Sequence, residues 1–148
     1  MKSFFSTLTC LFLLGCGSGS NEIKKVIASD KAPKAIGPYS QAIQVEKTLY
    51  LAGQIGLDPK SGELIKGGIE IQTHRVMQNL GAILSEADFD FEDVVQVQVF
   101  LSDLKHYKTM NAIYTKYFSA SYPARVVVEV ARIPRDALVE IMMVAQKP

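Results

Sequence analysis

An α+β fold is predicted, a mixed sheet with two helices packed on one face, and three features of the chain predict it. Two long stretches carry apolar residues at helical spacing, and several shorter ones alternate or run apolar as strands do. The order is strands, helix, strand, helix, strands, which suits a single sheet backed on one side by both helices. At 148 residues, 48% hydrophobic and 21% charged, the chain has the material for one globular domain with a sizeable core.

The first residues stand apart from that domain. Lys2, an apolar run from Phe4 to Leu14 and then Leu13-Leu14-Gly15-Cys16 have the shape of an export signal. The small residue before Cys16 resembles a bacterial lipobox, so residues 1–15 are expected to leave as a signal peptide and Cys16 to carry a lipid. Residues 16–22, rich in Gly and Ser, are expected to be a flexible tether, and 23–148 the folded domain. The apolar run is too short to span a bilayer, which takes about 20 residues. The expected location is the bacterial cell envelope, lipid-anchored on the periplasmic side, or periplasmic or secreted without the lipid. Cys10 and Cys16 both lie in this segment, so the domain has no thiol chemistry. Without Lys2 the 16 basic residues become 15 against 15 acidic ones, a balance that argues against nucleic acid as a partner.

Within the domain, Lys24 to Ala28 reads as a first strand. Ser29 to Pro38, with Pro33, Gly37 and Pro38, must be a loop, and it delivers Tyr39. Gln41 to Val45 and Thr48 to Ile55 form a hairpin around Glu46 and Lys47. Asp58-Pro59-Lys60-Ser61-Gly62 is a polar surface turn. Ile69, Val76, Met77, Leu80, Ile83, Leu84 and Ala87 lie on one helical face. Asp90-Phe91-Glu92-Asp93 ends that period, and Val95, Val97, Val99 and Leu101 then alternate as a strand. Ser102 or Asp103 caps a second helix whose apolar positions run from Leu104 to Phe118, ending before Pro123. The sheet face away from the helices keeps enough apolar residues to need a cover, and a second copy of the chain is the expected one.

The last stretch, Tyr122 to Ala145, reads as a second hairpin broken at Pro134, and it holds two charges in apolar runs, Arg125 and Glu140. A two-residue turn on Arg135 and Asp136 would set Ala131 against Glu140 and Arg125 against Gln146. The two charges would share a face about 20 Å apart at ~3.3 Å per residue. One small ligand could not touch both in a single chain, so a cleft between protomers is expected to join them. His74 and His106 lie on separate helices without metal-ligand spacing, and no metal site is expected. No serine-nucleophile, phosphate-loop or dinucleotide pattern is present.

Four pieces then stand in order: Ala35-Ile36-Gly37-Pro38-Tyr39-Ser40-Gln41-Ala42, Leu51-Ala52-Gly53-Gln54-Ile55-Gly56, Asn111, and Tyr122-Pro123-Ala124-Arg125 through to Glu140-Ile141. Together they resemble the reactive-intermediate deaminases, the Rid or YjgF-like family with its RidA-type imine deaminases. The resemblance implies a chorismate-mutase-like fold, a homotrimer with sites between subunits, and hydrolysis of 2-imino acids to 2-oxo acids and ammonia without cofactor or metal. By the same resemblance Arg125 would hold the substrate carboxylate, its planar fork suiting a bidentate grip. Glu140 would hold and activate water, and Tyr39 would bond the ligand or pass a proton. Asn111, Gly53 and Val127 would help to bind substrate. Two positions depart from the family pattern: Ala52 stands where many relatives carry serine, and Val127 where some carry cysteine. A second class stays open, a non-catalytic trimeric binder of small carboxylates or a chaperone-like envelope lipoprotein.

Overall fold

The computed structural model describes residues 24–119 and 121–148. The segment read as a signal peptide, Cys16 and the tether all lie outside the described residues. Six strands form one mixed sheet: β1 (Lys25–Ile27), β2 (Ala42–Val45), β3 (Thr48–Gln54), β4 (Val94–Leu101), β5 (Ala124–Glu129) and β6 (Val139–Gln146). Two helices, α1 (Ile69–Glu86) and α2 (Tyr107–Tyr114), join them, the second flanked by short 3-10 turns. The spatial order is β1-β2-β3-β6-β4-β5.

The helices form where the apolar period placed them. Val76, Met77, Leu80, Ile83 and Leu84 of α1 are sealed against Leu49, Leu51, Val97, Val99, Ile141 and Met143 of the sheet. Asp103 starts the second helical stretch, its side chain accepting a hydrogen bond of 2.8 Å from the Lys105 amide. Each large apolar side chain so buried contributes about 1.5–3 kcal/mol, which makes this interface the main hold on the fold.

The expected hairpin from Tyr122 to Ala145 does not form. β5 pairs parallel with β4, Val97 beside Arg125 and Phe100 beside Val128, and β6 lies between β3 and β4, antiparallel to both. The physical reason is the α2 crossover. A strand, a helix and a strand in succession return the chain parallel to its start, and the edge of β4 then belongs to β5. Pro134 and the left-handed conformations of Arg135 (φ 59°) and Asp136 (φ 54°) make a wide turn that carries the chain past β4. Val95 is another departure: a register shift between Val94 and Gln96 turns it out to solvent.

One face of the sheet is covered by the helices; among the described residues, much of the other is open, although Phe100 there packs against the cluster that holds Ile55 and Ile133. Tyr50, Val126 and Val128 are 50%, 47% and 38% exposed on that open face, with Ile43, Met142, Val144 and Phe100 half-buried beside them.

Candidate active site

Glu140 stands on the open face of β6, between the buried Val139 and Ile141 and opposite Phe100 of β4. It lines a cleft of about 370 Å³ together with Tyr39, Ala52, Gly53, Ile55 and Pro134. The walls are largely apolar, and burial pushes the Glu140 carboxyl above its ordinary value. No ion pair engages it among the described residues.

Three buried polar side chains hold this cleft in shape. Gln41 ties down the loop that carries Tyr39, donating to the carbonyls of Ser29 and, at 2.7 Å, Pro33, while the Ser29 amide donates back to it. Asn79 of α1 donates to the carbonyl of Leu57 at 3.0 Å and to that of Ile55, fixing the apolar wall. Gln72, a helical turn and more before it, accepts from the Leu138 amide at 2.8 Å, two residues from Glu140. Tyr39 itself is 47% exposed at the rim, and its hydroxyl accepts from the Ile36 amide at 3.3 Å.

Arg125 lies elsewhere. It shares the helix-covered face with Val97, its neighbour across β4, and its guanidinium carbon sits 4.5 Å from the centre of the Tyr114 ring, a cation–π stack. Asn111, Tyr114, Tyr122 and Pro123 complete a second cleft of about 380 Å³ around it. The Asn111 Oδ1 and Tyr114 hydroxyl are buried there without hydrogen-bond partners among the described residues. Burial carries the Tyr114 hydroxyl up to about 12 against the opposing pull of Arg125, so it stays a neutral donor.

The two charges therefore occupy opposite faces of the sheet, which corrects the expectation of a shared face. Through the register Arg125–Val97–Met143 they are two strands and three residues apart, roughly 14 Å in the sheet plane. Gly53 and Tyr39 lie with Glu140, and Asn111 with Arg125. Val127 joins neither cleft, since its side chain packs against the core. His74 is half-buried, its Nδ1 3.0 Å from the hydroxyl of Tyr117 in the 3-10 turn after α2. No group of three His, Cys, Asp or Glu is placed to hold a metal among the described residues.

Gln41, Gln72, Asn79 and Tyr114 were not singled out from the sequence. Gln72 and Asn79 could have been, because they fall within the apolar stripe of α1, where a polar side chain has to find a partner. Tyr114 sits three residues after Asn111, on the same helical face.

Among the described residues, the helix-backed sheet thus keeps a half-buried carboxylate and a half-buried arginine in separate clefts, neither of them in an ion pair. The chain belongs to the family described as Endoribonuclease L-PSP, which matches residues 29–147. A RutC family protein of Pyrococcus abyssi is 52% identical over 124 residues, 84% of this chain and 98% of that one. The 2-iminobutanoate/2-iminopropanoate deaminase of Mus musculus is 49% identical over 126 residues, 85% of this chain and 93% of the mouse protein. Imine deaminases are thus among the family's members. The structure of E. coli TdcF with bound serine superposes with a TM-score of 0.81 at 35% identity, covering 84% of this chain and 99% of that one.

Proposed function

We propose that the protein hydrolyses reactive 2-imino acids to 2-oxo acids and ammonia, at sites where neighbouring copies bring one chain's Arg125 against another's Glu140. The observation that carries this reading is the pair of unpaired, half-buried charges on opposite faces of a sheet whose open face is apolar. Leaving such groups unmatched costs stability, and a ligand that supplies the missing partners repays it. Covering the open face with further copies, as a homotrimer, would also bury Tyr50, Val126 and Val128.

In this site Arg125 takes the substrate carboxylate in a bidentate grip, with Asn111 and Tyr114 setting its direction. Glu140 holds a water beside the imine carbon. As the water oxygen bonds to that carbon, Glu140 takes one of the water's two protons and passes it to the imine nitrogen, giving a tetrahedral amino alcohol and leaving Glu140 ionised. Glu140 then takes the hydroxyl proton as the C=O bond forms and delivers it to the nitrogen, directly or relayed through the Tyr39 hydroxyl, as the C–N bond breaks; ammonia leaves and the carboxylate is restored. A carboxylate raised by burial is the stronger base for the first step. In the proposed assembly, backbone groups of Gly53 and of the edge strand at Val127 add further contacts to the ligand. Anchoring through a lipid on Cys16 in the cell envelope belongs to the same proposal, and loss of acyl labelling in Cys16→Ser tests it.

A second reading, a trimeric binder of small carboxylates, is favoured by the serine in the TdcF structure, since serine has no imine to hydrolyse. The family's description as a ribonuclease finds little support in a chain of 16 basic and 15 acidic residues. Freshly generated 2-iminobutanoate and 2-iminopropanoate offered to the purified chain distinguish the readings. Release of 2-oxo acid above the spontaneous rate, lost in Arg125→Ala, is expected. A folded protein that binds 2-oxo acids without accelerating hydrolysis would establish the binder instead.

A further inference from the structure

Gly53 occupies an unusual position in β3. Three steps along that strand, Leu51 to Gln54, span only two on β6, Met143 to Ile141, so the pairing bulges beside Glu140. A bulge often calls for glycine because the backbone turns left-handed, but the positive-φ glycines among the described residues are Gly62 and Gly67. The backbone at Gly53 is outside the left-handed region, so its conformation does not by itself demand glycine. What a β-carbon there would meet is one side chain: the Glu140 carboxyl oxygen overlaps its place, and Cδ and Cγ of Glu140 stand at 3.0 and 3.2 Å from it.

We propose that Gly53 is a positioning residue whose missing side chain forms the socket in which the Glu140 carboxylate rests. The extra residue of the bulge brings the socket to the level of Glu140, and Ala52, the next small residue, continues the same wall of the cleft. With a methyl group in the socket, the carboxylate must swing away from β3 toward the open face, and the held water moves with it. The half-burial of Glu140 agrees with this seating against the strand. The role of Glu140 in it rests on the deaminase reading; the seating itself does not.

The test is a set of five full-length chains besides the wild type: Gly53→Ala, Glu140→Ala, Glu140→Asp, and Gly53→Ala paired with each Glu140 change. In imine hydrolysis, Gly53→Ala is expected to lose about 100-fold in kcat with little change in KM, the scale of an ångström's misplacement. Adding Glu140→Asp, one methylene shorter, is expected to recover part of that loss, which general damage to the strand would not allow. Melting temperatures supply a readout independent of activity. Gly53→Ala lowers the melting temperature when Glu140 is present and does so far less in the Glu140→Ala background. An equal drop in both backgrounds overturns the socket, as does an unchanged kcat in a folded Gly53→Ala protein. Should the wild type show no hydrolysis, the deaminase reading falls and the melting comparison still decides the socket.

Discussion

The cleft around Glu140 and the cleft around Arg125 rest on different kinds of support. β6 is paired along both edges, by β3 and β4, and the walls beside Glu140 are pinned to α1 by Asn79 and Gln72. β5 is an edge strand, paired with β4 alone, and Arg125 leans on a single ring of α2, Tyr114. Under the proposed deaminase reading, the difference suits each half to a kind of work. A group that must meet a water and a carbon within tenths of an ångström belongs on the rigid strand, whereas a long, flat cation that grips a carboxylate tolerates an adjustable seat.

The largest expected effect strikes the rigid half. Glu140→Gln keeps the shape of the side chain and removes the base, and about a 1,000-fold loss of kcat is expected, within the usual range for general-base removal. The wild-type rate is expected to fall with decreasing pH through a midpoint above the ordinary carboxylate value, because burial raises it. Stability follows the opposite course. A raised folded-state pKa means that the protonated form is favoured, so this contribution is complete below the unfolded value and is lost as pH rises through the folded one. Glu140→Gln is therefore expected to melt higher than wild type at neutral pH, with the gap closing near pH ~4. A variant that melts lower at neutral pH would contradict the account of an unpaired, desolvated carboxylate.

On the adjustable half, Arg125→Lys keeps the charge but loses the fork and the stack on Tyr114. About 100-fold in kcat/KM is expected to disappear, near 3 kcal/mol, mostly through KM. A loss confined to kcat would mean that Arg125 acts on the reaction rather than on the grip. Removing the pins of the rigid half costs less again: Gln41→Ala leaves buried groups of Ser29 and Pro33 unmatched and is expected to lower stability by about 2 kcal/mol, measured by denaturant unfolding. Ala52→Ser, which adds the hydroxyl that the family resemblance leads one to expect there, has the smallest expected effect, about twofold in kcat/KM or roughly 0.5 kcal/mol. Anything above tenfold would show that this wall touches the substrate closely.

What the sequence displayed and what it hid divide along the same line. Helix α1 and the hairpin of β2 and β3 were legible because their signals are local: the 3.6-residue stripe from Ile69 to Leu84, and the turn at Glu46, whose φ of 51° reverses the chain. The partners of β5 and β6 were not, because two apolar runs around Pro134 look the same whether they pair with each other or with β4. The deciding signal was α2 between β4 and β5, which forces those two strands parallel. That one pairing moved Arg125 to the opposite face from Glu140. Residue identities could mark both charges as costly to bury, but not which face each would take.

The central claim is that a working site takes its arginine from one chain and its glutamate from another. Co-refolding equal amounts of Arg125→Ala and Glu140→Ala chains, each inactive alone, tests it most directly. With random mixing around a closed ring, about one site in four regains both residues, and activity near a quarter of wild type is expected. Activity that stays at the level of the separate variants, in a mixture shown to exchange subunits, would contradict the claim and return both residues to a single chain.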